Sequence, residues 1–140
     1  MMHESRFAPR EVHFVPDAAG WARLLASVDS RDADAFSRFL TRDAAFIFGN
    51  APALVGTAAI VDGVAGFFRA IAACQHRLSR IWQGSGAVGC EGTVTYTRLN
   101  GSVLVVPFAN VFEVEGDLIR SYRVYIDNSA LFANTTDSSL

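Results

Sequence analysis

The chain has 140 residues, the size of one domain. Hydrophobic residues make up 51% and charged residues 19%, so a sizeable core can form, and global disorder or a fibrous repeat is excluded. The formal net charge is −2 and all 12 cationic residues are Arg, which leaves no basic footprint for nucleic acid. Cys74 and Cys90 are too few for a disulfide scaffold and lack metal-ligand spacing, so they read as reduced, buried small hydrophobes. No run approaches the roughly 20 apolar residues of a membrane span. The first ten residues lack the apolar centre of a secretory signal. The expectation is a cytoplasmic protein with no membrane contact.

Residues 1–15 read as a loosely attached arm, 16–133 as the folded domain and 134–140 as a frayed tail. Pro16-Asp17 precedes Trp21, Leu24, Leu25 and Val28 at helical spacing, with Asp17 placed to cap. Ser30-Arg31-Asp32 interrupts, and Phe36, Phe39 and Leu40 mark a short second helix. A short apolar strand is expected over 44–48, then a loop through Pro52. Thr57 is placed to cap a third helix running to about residue 73, whose stripe is Ile60, Val64, Phe67, Phe68 and Ile71. From Gln75 the period becomes two. Strands are expected at 76–83, 87–98, 103–114 and 118–127, joined by short Gly-containing turns. Asn100-Gly101 predicts a hairpin with positive φ at both central residues. Helices followed by an antiparallel meander define an α+β fold with the helices on one face of a bent sheet.

The strand faces carry the candidate chemistry. Val88, Cys90, Gly92, Val94 and Tyr96 share the core side of their strand. Leu104, Val106, Phe108, Asn110 and Phe112 share the core side of the next. Asn110 is thus a polar residue on an apolar face and needs a hydrogen-bond partner, either within the fold or on a ligand. The opposite face of that strand, Val103, Val105, Pro107, Ala109 and Val111, is also apolar, which predicts a homodimer through the sheet. His76, the one histidine outside the arm, is the acid/base candidate, set against a purely structural role. Asp127 ends the last strand, where it reads as a strand-end residue that accepts turn N–H bonds. There is no GxSxG elbow, Gly-rich phosphate loop or HExxH helix, and no metal or organic cofactor is expected.

The runs Asp43-Ala44-Ala45-Phe46-Ile47-Phe48 and Gly56-Thr57-Ala58-Ala59-Ile60 resemble the SnoaL-like branch of the nuclear transport factor 2-like superfamily. So do Glu91-Gly92-Thr93-Val94-Thr95-Tyr96, Pro107-Phe108-Ala109-Asn110-Val111-Phe112 and the strand from Ile119 to Asp127. The resemblance covers about residues 17–132. It implies a cone-shaped α+β barrel of three N-terminal helices on a strongly bent, mostly antiparallel sheet, a pocket between the layers, and a homodimer. Fold alone does not give function, so site residues are carried over one by one. Phe48 and Leu24 stand where ketosteroid isomerases carry their base and oxyanion Tyr. Phe46, Phe48, Gly92 and Val94 stand at epoxide-hydrolase site positions. Asp127 matches the late-strand acid/base Asp of the polyketide cyclases, and His76 the pocket His of scytalone dehydratases. Strict alternation, however, groups Asp127 with Tyr125 and Arg123, opposite Tyr122, Val124 and Ile126; a bulge would reconcile the two placements.

The resulting expectation is a cofactor-independent lyase, isomerase, cyclase or hydrolase acting on a compact hydrophobic oxygenated substrate. Asp127 and His76 would exchange protons, Asn110 would orient an oxygen, and Tyr96 or Tyr125 would add a hydrogen bond. Phe46, Phe48, Phe67, Phe108 and Trp21 would form the walls. The alternative is a non-catalytic homodimer that binds a hydrophobic ligand.

Overall fold

The structure, a computed structural model, describes residues 13–133. The expectations for 1–12 and for the tail 134–140 lie outside the described residues. Phe14, within the stretch expected to be the arm, is packed into the domain. Phe14 is buried against Trp21 and Phe112, and its N–H donates to the Asp117 carbonyl at 2.7 Å.

Helix α1 is Ala18–Asp29, and Asp17 caps it by accepting from the Gly20 N–H at 2.8 Å. Helix α2, Ala33–Ser37, is capped in the same way by Asp32. Arg31, between them, holds a left-handed φ of 58°. Its guanidinium donates to the Ile71 and Phe68 carbonyls at 3.2 and 3.5 Å, tying this corner to the end of helix α3, Thr57–Arg69. Gly56, not Thr57, is the α3 cap residue, and the helix stops four residues short of the sequence expectation. Ile71 is buried, but as the first residue of a strand. Its β-branched chain fits either environment, so periodicity did not mark the handover.

The strands are β1 (Leu40–Phe48), β2 (Leu54–Val55), β3 (Ile71–Gly84), β4 (Ala87–Arg98), β5 (Val103–Glu115) and β6 (Leu118–Ile126). They form one sheet in the order β2-β1-β6-β5-β4-β3, parallel only between β1 and β6. The expected α+β class and mostly antiparallel sheet are therefore found. The sheet is open, with β2 and β3 as its edges. β1 begins at Leu40 rather than residue 44 because it pairs with β6 from Leu40↔Ile119 onward.

Two local features shape the meander. The β4–β5 hairpin has Gly101 N–H to Arg98 carbonyl and Arg98 N–H to Ser102 carbonyl bonds, both 2.8 Å, with positive φ at Gly101 but not at Asn100. This is a three-residue loop with a glycine bulge, not the two-residue turn expected from Asn-Gly. The Asn100 side chain instead accepts from the Ser102 N–H at 2.9 Å, an Asx turn. In β3–β4 the register shifts between Leu78 and Arg80. There a Cβ on Gly92 would lie 2.0 Å from the Arg77 carbonyl oxygen, so only glycine fits.

The inner sheet face buries Cys90, Val94, Tyr96, Val106, Phe108, Asn110, Phe112, Tyr122 and Val124 beneath the helices. On the outer face Val103 and Val105 remain 56% and 57% exposed.

Candidate active site

Between the helices and the inner sheet face lies an apolar cavity of about 200 Å³. Every described helix and strand contributes to the wall, α1 through Val28 and β2 through Leu54. A chain of rings runs along it: Tyr122–Phe46, Phe46–Phe48, Phe48–Phe67 and Phe67–Tyr96 have centroid separations of 5.2, 6.3, 5.2 and 5.8 Å. Phe108 lies on another part of the wall, edge-on to the His76 ring at 5.1 Å. Period-two alternation brings Phe46 and Phe48 to the cavity from β1, and Tyr122, Val124 and Ile126 from β6.

Three kinds of polar group break this lining. Asn110 is buried, and its side-chain oxygen has no hydrogen-bond partner among the described residues. Tyr96 and Tyr122 also line the cavity, and burial pushes both phenols well above the ordinary tyrosine range. The third is His76. Its Nδ1 lies 2.5 Å from Asp29 Oδ1, and its backbone N–H donates to Asp29 Oδ2 at 2.9 Å. One carboxylate thus fixes both the ring and the backbone of His76. With the Nδ1 proton directed at Asp29, Nε2 carries the free lone pair of the neutral ring.

Asp29 was not singled out in the sequence, because 47 residues separate it from His76. One signal was present. It is the last residue of α1, where the helix dipole disfavours a negative charge. An acid there needs a partner from elsewhere in the fold.

Cys74 completes the group. Its thiol is 3.6 Å from the Val28 carbonyl. Burial, then the adjacent Asp29 charge, pushes it from 9.0 up to about 12, so it remains a protonated thiol at neutral pH. Donor atoms of Asp29, Cys74 and His76 lie within 4.8 Å of one another, and these are the residues that could hold a metal ion. In the arrangement seen, all three are engaged in hydrogen bonds instead.

His76, Asn110, Tyr96, Phe46, Phe48, Phe67 and Phe108 therefore converge on the cavity as the sequence suggested. Three candidates do not. Asp127 is exposed beyond the end of β6, where its carboxylate accepts from the Ser129 N–H at 3.1 Å. Those Ser129 contacts hold it below the ordinary aspartate range, a turn-capping arrangement. No bulge intervenes near Asp127, so alternation keeps it on the outer side with Tyr125. Tyr125 is exposed, with the Arg123 guanidinium 5.7 Å above its ring. Trp21 is fully buried outside the cavity, stacked on Phe112 at 4.7 Å.

A helix-covered, mostly antiparallel sheet enclosing an apolar cavity with a few inward polar groups is the architecture of the nuclear transport factor 2-like superfamily. Within it, the chain belongs to the SnoaL-like domain family, whose pattern matches residues 21–122. Solved structures agree on the fold. A ketosteroid isomerase-like protein from Catenulispora acidiphila, in complex with trimethylamine, superposes with a TM-score of 0.74 at 15% identity, covering 83% of this chain and 91% of that one. TerC, co-crystallised with polyporic acid, gives 0.72 at 15% identity over 85% and 97%. A putative SnoaL-like polyketide cyclase from a Jannaschia species gives 0.69 at 16% identity over 81% and 86%. Among curated proteins nothing matches the sequence. No described helix is long and apolar enough to cross a membrane.

Proposed function

We propose that the chain is a small-molecule acid–base enzyme in which His76, oriented by Asp29, moves a proton on a compact hydrophobic carbonyl or hydroxyl compound. One observation carries this reading: His76, held by Asp29 at 2.5 Å, stands in the wall of a mostly apolar cavity. The Asp29 carboxylate holds the Nδ1–H tautomer and stabilises the imidazolium that forms when Nε2 accepts a proton. The Asn110 carboxamide, its oxygen without a partner among the described residues, orients the substrate's oxygen, and Tyr96 or Tyr122 adds a hydroxyl donor. Asp127 has no part in this scheme, because its side chain is directed into a surface turn.

The test needs no natural substrate. Hydrogen–deuterium exchange next to the carbonyl of a bicyclic ketone such as tetralone is followed by NMR. Wild type should accelerate exchange and His76→Ala should not, while Asp127→Asn behaves as wild type. Equal acceleration by a folded His76→Ala protein sinks the assignment.

A second reading has its own support. The replacement of two family catalytic positions by Phe46 and Phe48, both on the cavity wall, favours a non-catalytic ligand carrier. It predicts saturable binding with no exchange. In either case the uncovered outer face around Val103 and Val105 supports a homodimer. Sedimentation of wild type against Val105→Glu tests that directly.

A further inference from the structure

We propose that the cavity selects uncharged ligands and rejects anions, with Asp29 as the residue that sets this preference. The inference rests on reading the cavity as a ligand site, but not on turnover.

The argument begins with what is missing from the wall. The chain has 12 Arg and no Lys, yet no arginine among the described residues lines the cavity. Arg98 is buried, but it is spent on the Leu131 and Ala130 carbonyls and the Ser102 hydroxyl at 2.8–3.0 Å. The lining groups that can ionise are Cys74, His76, Tyr96 and Tyr122. Burial holds the thiol and both phenols protonated at neutral pH. Behind the wall stands the Asp29 carboxylate. With a neutral ring the His76–Asp29 pair carries one negative charge, and with an imidazolium it carries none. In neither state is it positive.

A carboxylate or phosphate entering this space would lose its hydration and meet no counter-ion. It would face Asp29 across a medium that screens poorly. A cation fares differently but no better. The aromatic chain offers cation–π contact. However, both Asp29 oxygens are turned to His76 and Asp29 does not line the cavity, so an ammonium group would give up its hydration without direct contact with the carboxylate. The groups left open are hydrogen-bonding and neutral: the Asn110 carboxamide, the second nitrogen of His76 and the two tyrosine hydroxyls. They match one hydroxyl, carbonyl or amide at the end of an apolar body. Size follows from the volume. An apolar cavity of about 150 Å³ holds benzene, so about 200 Å³ with an open side suits one or two fused rings.

Three probes of equal ring system separate charge from shape: naphthalene carboxamide, naphthalene carboxylate and naphthylmethylammonium. Their binding to the full chain is read by calorimetry and by the shift in melting temperature. The carboxamide should bind and the carboxylate should bind at least about tenfold more weakly, with the ammonium also weaker than the carboxamide. Asp29→Asn, which removes the charge and keeps an acceptor oxygen, should narrow the gap between carboxamide and carboxylate. Because the charge is also varied on the ligand, the result does not depend on that variant folding. A carboxylate that binds as well as the carboxamide overturns the proposal and leaves the proton-transfer reading intact, as does an ammonium that binds more tightly than both. Binding of none of the three overturns both.

Discussion

Two aromatic clusters share the inner face of one sheet, and they have opposite fates. Phe14, Trp21 and Phe112 close on one another, with centroid separations of 4.7–5.5 Å, and leave no space. Phe46, Phe48 and Phe67 line up at 5.2–6.3 Å but border a cavity. Tyr122 belongs to both, 4.2 Å from Phe112 and 5.2 Å from Phe46. Aromatic content is therefore no guide to the site. The difference lies in what faces the rings. In the closed cluster an indole lies over a phenyl, and the Trp21 N–H, without a hydrogen-bond partner among the described residues, is sealed in at a cost to stability. In the open cluster the space is bordered by Asn110 and by His76 with its carboxylate. Packing rings tightly onto these groups would leave them buried and less well bonded.

This contrast can be broken from either side. The largest effect is expected in the open cluster. His76→Ala should lower ketone deuterium exchange by about 10²–10⁴-fold, the usual worth of a general base, and cost about 1–3 kcal/mol of stability because Asp29 loses its side-chain partner. Trp21→Ala in the closed cluster should cost more stability and spare exchange. It should lose about 3–5 kcal/mol in denaturant unfolding, while per-molecule exchange of the remaining folded protein is retained. Asn110→Leu sharpens the comparison, since it removes a buried oxygen that lacks a partner among the described residues. It should raise stability by about 1 kcal/mol and abolish carboxamide binding, a trade expected only of a functional polar group. A pH effect follows from the thiols. Cys74 and Cys90 are raised from 9.0 to about 12, chiefly by burial. Groups raised in the folded state contribute stability that is complete below the unfolded value and lost above it. Urea midpoints should therefore hold up to about pH 9 and then fall progressively toward 12, and Cys90→Ala should flatten that fall. Asp127→Asn marks the lower bound, with exchange unchanged within about twofold, because an exposed turn residue contributes little to chemistry elsewhere.

The fold was largely legible because its signals are local. Period-two alternation placed β4 at its observed bounds and assigned Tyr122, Val124 and Ile126 to the inner side. Asp17 marked the first helix through its own side chain. The cavity walls Phe46, Phe48, Phe67 and Phe108 followed from the same periodicity together with the family resemblance. The misplacements also have physical causes. Asp127 was drawn toward the pocket by family likeness against its own alternation, and alternation prevailed. Tyr125 lies on that same outer side. Trp21 was correctly read as core-facing, but which of two aromatic clusters it joins depends on α1 docking against Phe112. Asp29 was out of reach because its partner comes from another layer of the structure.

The order of the sheet has a consequence for how the protein is made. β6 is the final strand of the described chain, yet it lies between β1 and β5, pairing Phe46 with Tyr122 and Asn110 with Val124. During synthesis the β3–β4–β5 meander can assemble while β1 and β2 have only each other to pair with. The two halves become one sheet only when the last strand inserts. Because that step closes a long loop, it should slow folding and leave apolar β1 exposed until late. The nascent chain is then most vulnerable to misassociation just before its own midline arrives.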